Sequence, residues 1–288
     1  MLTAFVAGGA GPAYPWESMR SRPAAVAGLF YPDDPATLHR DVRRLLDAAR
    51  PTDATPSDAT PSNAVPKALV VPHAGYVYSG APAAAAYARL APARDRIRRV
   101  VLLGPAHRVP VRGLAAPTVD AFETPLGPVP LERTTLDALA ALPQVTLDDR
   151  AHAEEHSLEV QLPFLQEVLG EFALLPFAVG AASAEEVAEV LARLWGGDET
   201  LILISSDLSH FHDDATARRL DAATTAAIED LAPERLGRES ACGRVPLSGL
   251  LLLARERGLQ ATTLALSNSS DTVGPPDRVV GYGAYAFA

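Results

Sequence analysis

Residues 68–76 read Ala68-Leu69-Val70-Val71-Pro72-His73-Ala74-Gly75-Tyr76. Four apolar residues stop at a proline, the pattern of a short buried strand that turns as soon as it ends. The same grammar recurs along the chain. Arg99 to Leu103 runs into Gly104-Pro105-Ala106-His107, and Leu201 to Ser205 runs into Ser206-Asp207-Leu208-Ser209-His210. Further apolar runs lie at Ala173 to Val179, Ala261 to Leu266 and Val279 to Phe287, with alanine- and leucine-rich helical stretches between them. This alternation predicts an α/β fold, a many-stranded and largely parallel sheet covered by helices. Phe122 to Leu131, punctuated by Thr-Pro and Leu-Gly-Pro, predicts a hairpin or irregular excursion that covers a site.

In an open sheet with parallel strands, ligands bind beyond the carboxyl ends of the strands. His73, His107 and the pair Asp207 and His210 all follow such ends. If these strands neighbour one another, His73 and His107 converge within coordination distance of one metal ion, while Asp207 and His210 stand at the rim, either supporting the ligands or acting as catalytic, proton-transferring groups. A lone histidine after a strand is more often a hydrogen-bonded loop residue, and Asp207 equally suits a helix N-cap. The joint placement favours a site. His39 and His212 lack such placement and read as surface residues.

Cys242 precedes Gly243-Arg244-Val245-Pro246, a turn into an apolar helical run. Near a helix N-terminus its thiol pKa would fall, making it a better metal ligand, against the alternative of a small buried core cysteine. Arg244 is a candidate for orienting an anionic substrate, or else an ordinary ion-pair partner. Tyr76, three residues past His73, is a candidate pocket residue. Residues 153–163 read as an acidic helix start followed by an apolar stripe, in which His156 and Glu159 share a face that points toward the strand-end site or into solvent. His152 to His156 also matches H-x-x-E-H, the inverted zinc-peptidase pattern, for which Glu229 or Glu234 is the available downstream carboxylate. Three fixed positions make this a weak signal.

The chain of 288 residues is 48% hydrophobic, enough for one large core. Its 25 basic and 35 acidic residues leave a formal charge of −10, which argues against nucleic acid or an anionic membrane as partner. A single cysteine cannot form an internal disulfide, so a cytoplasmic location is the economical expectation. No apolar run approaches the roughly 20 residues that a membrane-spanning helix needs. Residues 1–21 lack a basic start and a sustained apolar run, and read as a flexible tail outside the fold. Residues 51–66, rich in Pro, Ser, Thr and Asp, read as a mobile insertion within a single domain spanning 22–288.

Several of these segments together resemble the Memo-like family, also called AmmeMemoRadiSam system protein B in prokaryotes. They are RPAAVAGLFYP from Arg22, PHAGYVYSG from Pro72, GPAH from Gly104, EHSLEVQLPFL from Glu155, SSDLSH from Ser205 and CGRVP from Cys242. The resemblance implies a three-layer α/β/α architecture around a mixed sheet, similar to class III extradiol dioxygenases with their non-haem Fe(II) site. It also implies His73, His107 and Cys242 as metal-site positions, with Asp207 and His210 in the pocket. The cysteine departs from those dioxygenases, which complete their iron site with a carboxylate. The implied activity is that of an oxidoreductase using Fe(II), with copper or zinc as alternative metals, on an unknown small organic substrate. A non-catalytic metal-binding or peptide-interaction module and a zinc hydrolase are the rival readings. The prokaryotic family name further implies a functional link to radical-SAM and AMMECR1-like proteins.

Overall fold

The computed structural model describes residues 19–50 and 65–288. The expected tail and insertion fall mostly outside these residues. Ser21, at the edge of the expected tail, pairs with Ala121 in a short strand.

The described residues form twelve strands. They are β1 (Ser21–Arg22), β2 (Ala68–Val71), β3 (Arg99–Pro105), β4 (Leu114–Ala116), β5 (Ala121–Thr124), β6 (Gly127–Pro130), β7 (Val145–Leu147), β8 (Ala173–Val179), β9 (Thr200–Ser205), β10 (His210–His212), β11 (Ala261–Asn268) and β12 (Val279–Phe287). The α-helices are α1 (Pro35–Ala48), α2 (Tyr76–Tyr87), α3 (Arg133–Leu139), α4 (Arg150–Ala153), α5 (His156–Glu159), α6 (Leu162–Val168), α7 (Ala184–Leu194), α8 (Asp214–Glu229) and α9 (Arg244–Arg257).

The main sheet runs β10-β12-β2-β9-β3-β8-β4-β7, with β11 also paired to β12. Its centre, β2-β9-β3-β8, is parallel throughout. Antiparallel pairs flank it, β12 on β2 and β4 on β8, so the sheet is mixed and largely parallel at its core. Helices α1, α2 and α6 pack together as one layer, and α7 and α9 as part of the other. β2 and β9 are buried along their whole length, and β3 and β8 at all but their first residue, which is why they read as unbroken apolar runs and not as alternation. Phe122 to Leu131 does form a hairpin, β5 with β6, turning at Gly127 where φ is 109°. A glycine there avoids the strain that a side chain would meet.

The N-terminal segment from Arg22 to Tyr31 is held down by one buried carboxylate. Glu159 is fully buried and accepts from the backbone N–H groups of Ala25 at 2.7 Å and Val26 at 2.9 Å. It also accepts from the Tyr31 hydroxyl and is ion-paired with the buried Arg22 guanidinium. Arg22 in turn donates to the His152 and Glu155 carbonyls. The sequence left Glu159 facing either the strand-end site or solvent; its carboxylate instead lies buried against the N-terminal segment. Removing the carboxylate would leave an uncompensated buried guanidinium. Glu159→Ala is therefore expected to cost about 3–5 kcal/mol of unfolding free energy, read as a lowered urea midpoint. A loss below about 1 kcal/mol would contradict this anchoring role.

Candidate metal centre

Strand β9 lies between β2 and β3, so His73 and His107 do not leave neighbouring strands as the simplest expectation had it. They converge from either side of β9. Val71 is in register with Ser205, and Leu103 with Ile204, so the three chains end level and turn over the same edge. The ring centroids of His73 and His107 are 5.4 Å apart. His156, at the start of α5, completes the group. Its ring stacks on His107 at 4.8 Å and meets His73 edge-on at 5.5 Å. One ring nitrogen from each of His73, His107 and His156 lies within 4.8 Å of the others.

A hydrogen bond orients the His107 ring, and burial lowers the pKa of the other two. The buried Glu155 carboxylate accepts from the backbone N–H groups of His107 and Ser157 and sits 2.9 Å from His107 Nδ1. Burial alone would raise the Glu155 pKa. The His107 ring and the two backbone donors outweigh it and hold the carboxyl down at about 2. An anionic oxygen only accepts, so His107 carries its proton on Nδ1 and presents a lone pair on Nε2. His73 is pushed down to about 3, by burial and then by the neighbouring His107 charge. His156 is pushed down to about 4, by burial and then by His73. His156 Nδ1 is buried without a hydrogen-bond partner, its nearest carboxylate oxygen being Glu155 Oε1 at 3.4 Å. Three imidazoles crowded together, two of them with depressed pKa values and one with an orphaned buried nitrogen, fit a cation that all three can share.

The cysteine stands beside this group. Cys242 Sγ is 3.3 Å from His73 Nε2 and accepts from the Asp207 N–H at 3.3 Å. Burial, reinforced by the facing Asp207 carboxyl, pushes the thiol up to about 12. This reverses the expectation of a lowered pKa, because desolvation here exceeds any benefit of the helix end. Asp207 is buried, accepts from the His73 N–H at 2.7 Å through Oδ1, and has its pKa raised by burial. It does not set the tautomer of His210. His210 Nδ1 instead donates to the Leu208 carbonyl at 2.8 Å, which leaves Nε2 unprotonated in the neutral ring. Phe211, next to it, has φ 65°, a left-handed conformation uncommon for an aromatic residue.

Other expected residues fall elsewhere. Tyr76 ties its hydroxyl to the Val160 carbonyl at 2.8 Å, and its ring lines a cavity of about 600 Å³ together with Leu29, Phe30, Val77 and Tyr78. Phe30 separates that cavity from the cluster, its ring 4.9 Å from that of His156. Arg244 borders a different depression with Ser183, Glu185, Glu234 and Ser248, none of which belongs to the histidine cluster. The peptidase pattern does not assemble. His152 Nε2 contacts the Ala115 carbonyl at 2.9 Å, Glu229 accepts from Thr263, and Glu234 pairs with Arg255. His39 pairs with Glu167 on the surface. Ser205, Gln161 and the role of Glu155 were missed, because a strand-end serine and a helix-start acid carry no spacing signal of their own.

The fold and the cluster together describe a mixed α/β protein with a three-histidine site at the carboxyl edge of its parallel strands. The model of the Memo-like protein family matches residues 22–286, and the chain belongs to that family. It is 35% identical over 283 residues to a MEMO1 family protein of Aquifex aeolicus, covering 93% of this chain and 100% of that one. It is 36% identical over 279 residues to one of Methanosarcina barkeri, covering 91% and 98%. The crystal structure of uncharacterized protein JW3007 from Escherichia coli K12 matches with TM-score 0.49 and 15% identity, covering 75% of this chain and 98% of that one.

The depressed histidines make stability depend on pH in the metal-free protein. Between the ordinary histidine value of 6.5 and about 4, the unfolded chain takes up protons at His73 and His156 that the folded chain refuses. Their contribution is fully present above pH 6.5 and is lost as the pH falls. The limiting slope is about 1.4 kcal/mol per pH unit for each histidine. Urea titrations of chelator-treated protein are expected to show stability falling through this interval, with a flatter slope in the double variant His73→Asn/His156→Asn. An unchanged slope in that variant would contradict the assignment.

Proposed function

We propose that this protein is a metal-dependent oxidoreductase of dioxygenase type, acting on a small organic substrate. The observation that carries the metal assignment is the convergence of three imidazole nitrogens within 4.8 Å of one another, with His107 oriented by a buried carboxylate. His73, His107 and His156 would hold Fe(II), or alternatively copper, with Cys242 as the adjoining fourth donor on the His73 side. Such a metal supplies the electrons that activate dioxygen toward an organic molecule. The redox reading itself is supported by the family's resemblance in fold to class III extradiol dioxygenases, an analogy of fold and not of chemistry.

The chain's own residues have defined parts in this reading. His210, with Nδ1 committed to Leu208, offers Nε2 to take a proton from substrate. Asp207 keeps the His73 backbone in place and tunes the charge beside the cluster. A location in the cytoplasm fits the single unpaired thiol, and a functional link to radical-SAM and AMMECR1-like proteins is part of the same proposal. The second reading is zinc-dependent hydrolysis, favoured by one observation: three imidazoles also make a catalytic zinc set.

Anaerobic reconstitution with Fe(II) is expected to give near-stoichiometric iron, lost in His73→Ala, His107→Ala and His156→Ala, with oxygen uptake on exposure to air. Iron bound as well by these variants as by wild type would overturn the site. Oxygen uptake absent from the iron-loaded protein, with activity toward ester or amide substrates under anaerobic Zn(II), would favour hydrolysis.

A further inference from the structure

We propose that Gln161 and Ser205 are positioning residues that lock His73 in one tautomer, with its proton on Nδ1 and its lone pair on Nε2. The inference rests on reading the histidine cluster as a metal centre and deepens it. Three contacts converge on the Ser205 hydroxyl, which is completely buried at the end of β9. They are the Ser157 carbonyl at 2.6 Å, the Gln161 side-chain amide at 2.8 Å and His73 Nδ1 at 2.8 Å.

Counting protons fixes the direction of each bond. Gln161 has its Nε2 3.0 Å from the Pro72 carbonyl, a group that only accepts, so the amide nitrogen must face it. The Tyr87 hydroxyl donates to Gln161 Oε1 at 2.6 Å, consistent with the same orientation. The two Nε2 protons are then used on Pro72 and on Ser205. The single Ser205 proton must go to the Ser157 carbonyl, because two bare oxygens do not approach to 2.6 Å. Ser205 Oγ is left with one lone pair facing His73, so Nδ1 must be the donor.

His73 Nε2 is thereby unprotonated and faces the side of the ring where Cys242 Sγ lies at 3.3 Å. A neutral imidazole chooses between two tautomers, and only one of them offers this nitrogen to a cation. The hydroxyl does for His73 what the Glu155 carboxylate does for His107, without adding a charge. Tyr87, Gln161 and Ser205 are all buried, so water does not compete for these bonds.

The test is long-range proton–nitrogen NMR on the metal-free, 15N-histidine-labelled full chain at neutral pH, with His73 assigned through His73→Asn. Wild type is expected to show His73 protonated on Nδ1 alone. Ser205→Ala is expected to shift His73 toward the other tautomer or a mixture, Gln161→Leu to do so in part, and Ser205→Thr to restore the wild-type signal. Zn(II) affinity, measured on the same samples, is expected to fall about 10–100-fold in Ser205→Ala and to recover in Ser205→Thr. Two results would overturn the lock: wild-type His73 protonated on Nε2, or a folded Ser205→Ala that keeps both tautomer and Zn(II) affinity. A wild-type chain with the expected tautomer but no Zn(II) binding would instead defeat the metal-centre reading on which the lock depends.

Discussion

Parallel pairing of β2 on β9 and of β9 on β3 sets the position of everything else in the site. Because the ladders are in register at Val71 with Ser205 and at Leu103 with Ile204, three chains leave the sheet at one level. The residues that follow have little freedom over where they point. His73 and His107 arrive from the two flanking strands, and the middle strand supplies Ser205 and Asp207 beneath and beside them. The register is itself enforced by burial, since these strands are covered on both faces by helices and every residue of β2 and β9 is inaccessible to solvent. A slip of one residue would exchange the faces to which the side chains point.

One short segment, Glu155 to Gln161, ties this edge to the rest of the molecule. Glu155 orients His107, His156 joins the cluster, and the Ser157 carbonyl takes the Ser205 proton. Glu159 gathers the N-terminal segment, the Val160 carbonyl receives Tyr76, and Gln161 bridges Tyr87 to Ser205. Buried polar groups are tolerated only when they are satisfied, and here the satisfaction of one group repeatedly orients a candidate ligand. Folding of the segment and preparation of the site are therefore the same event. Phe30, brought in by the segment that Glu159 anchors, forms the wall behind His156.

The central strands were legible because double-sided burial writes itself as apolar runs: Ala68–Val71, Ala173–Val179 and Val279–Phe287 match in full. The short strands Leu114–Ala116, Val145–Leu147 and His210–His212 had no such signal, being three residues each. His73 and His107 could be found from their place after strands. His156 was seen but given a lesser role, since nothing in a linear pattern says that a helix start will be folded over a sheet edge. Glu159 was left between the site and solvent for the same reason, its buried place depending on where Arg22 comes to rest. The Cys242 environment was misjudged because a helix N-terminus is visible in sequence while desolvation is not. Ser205 and Gln161 acquire meaning only when the Pro72 and Ser157 carbonyls, the His73 ring and the Tyr87 hydroxyl are placed around them.

The central claim is that His73, His107 and His156 jointly hold a metal. X-ray absorption at the metal edge of the Fe(II)-loaded protein tests it most directly, because imidazole rings give a countable multiple-scattering signature. The account requires three imidazoles in wild type and two in any iron retained by His156→Ala. A wild-type spectrum with two imidazoles, unchanged by that substitution, would contradict it.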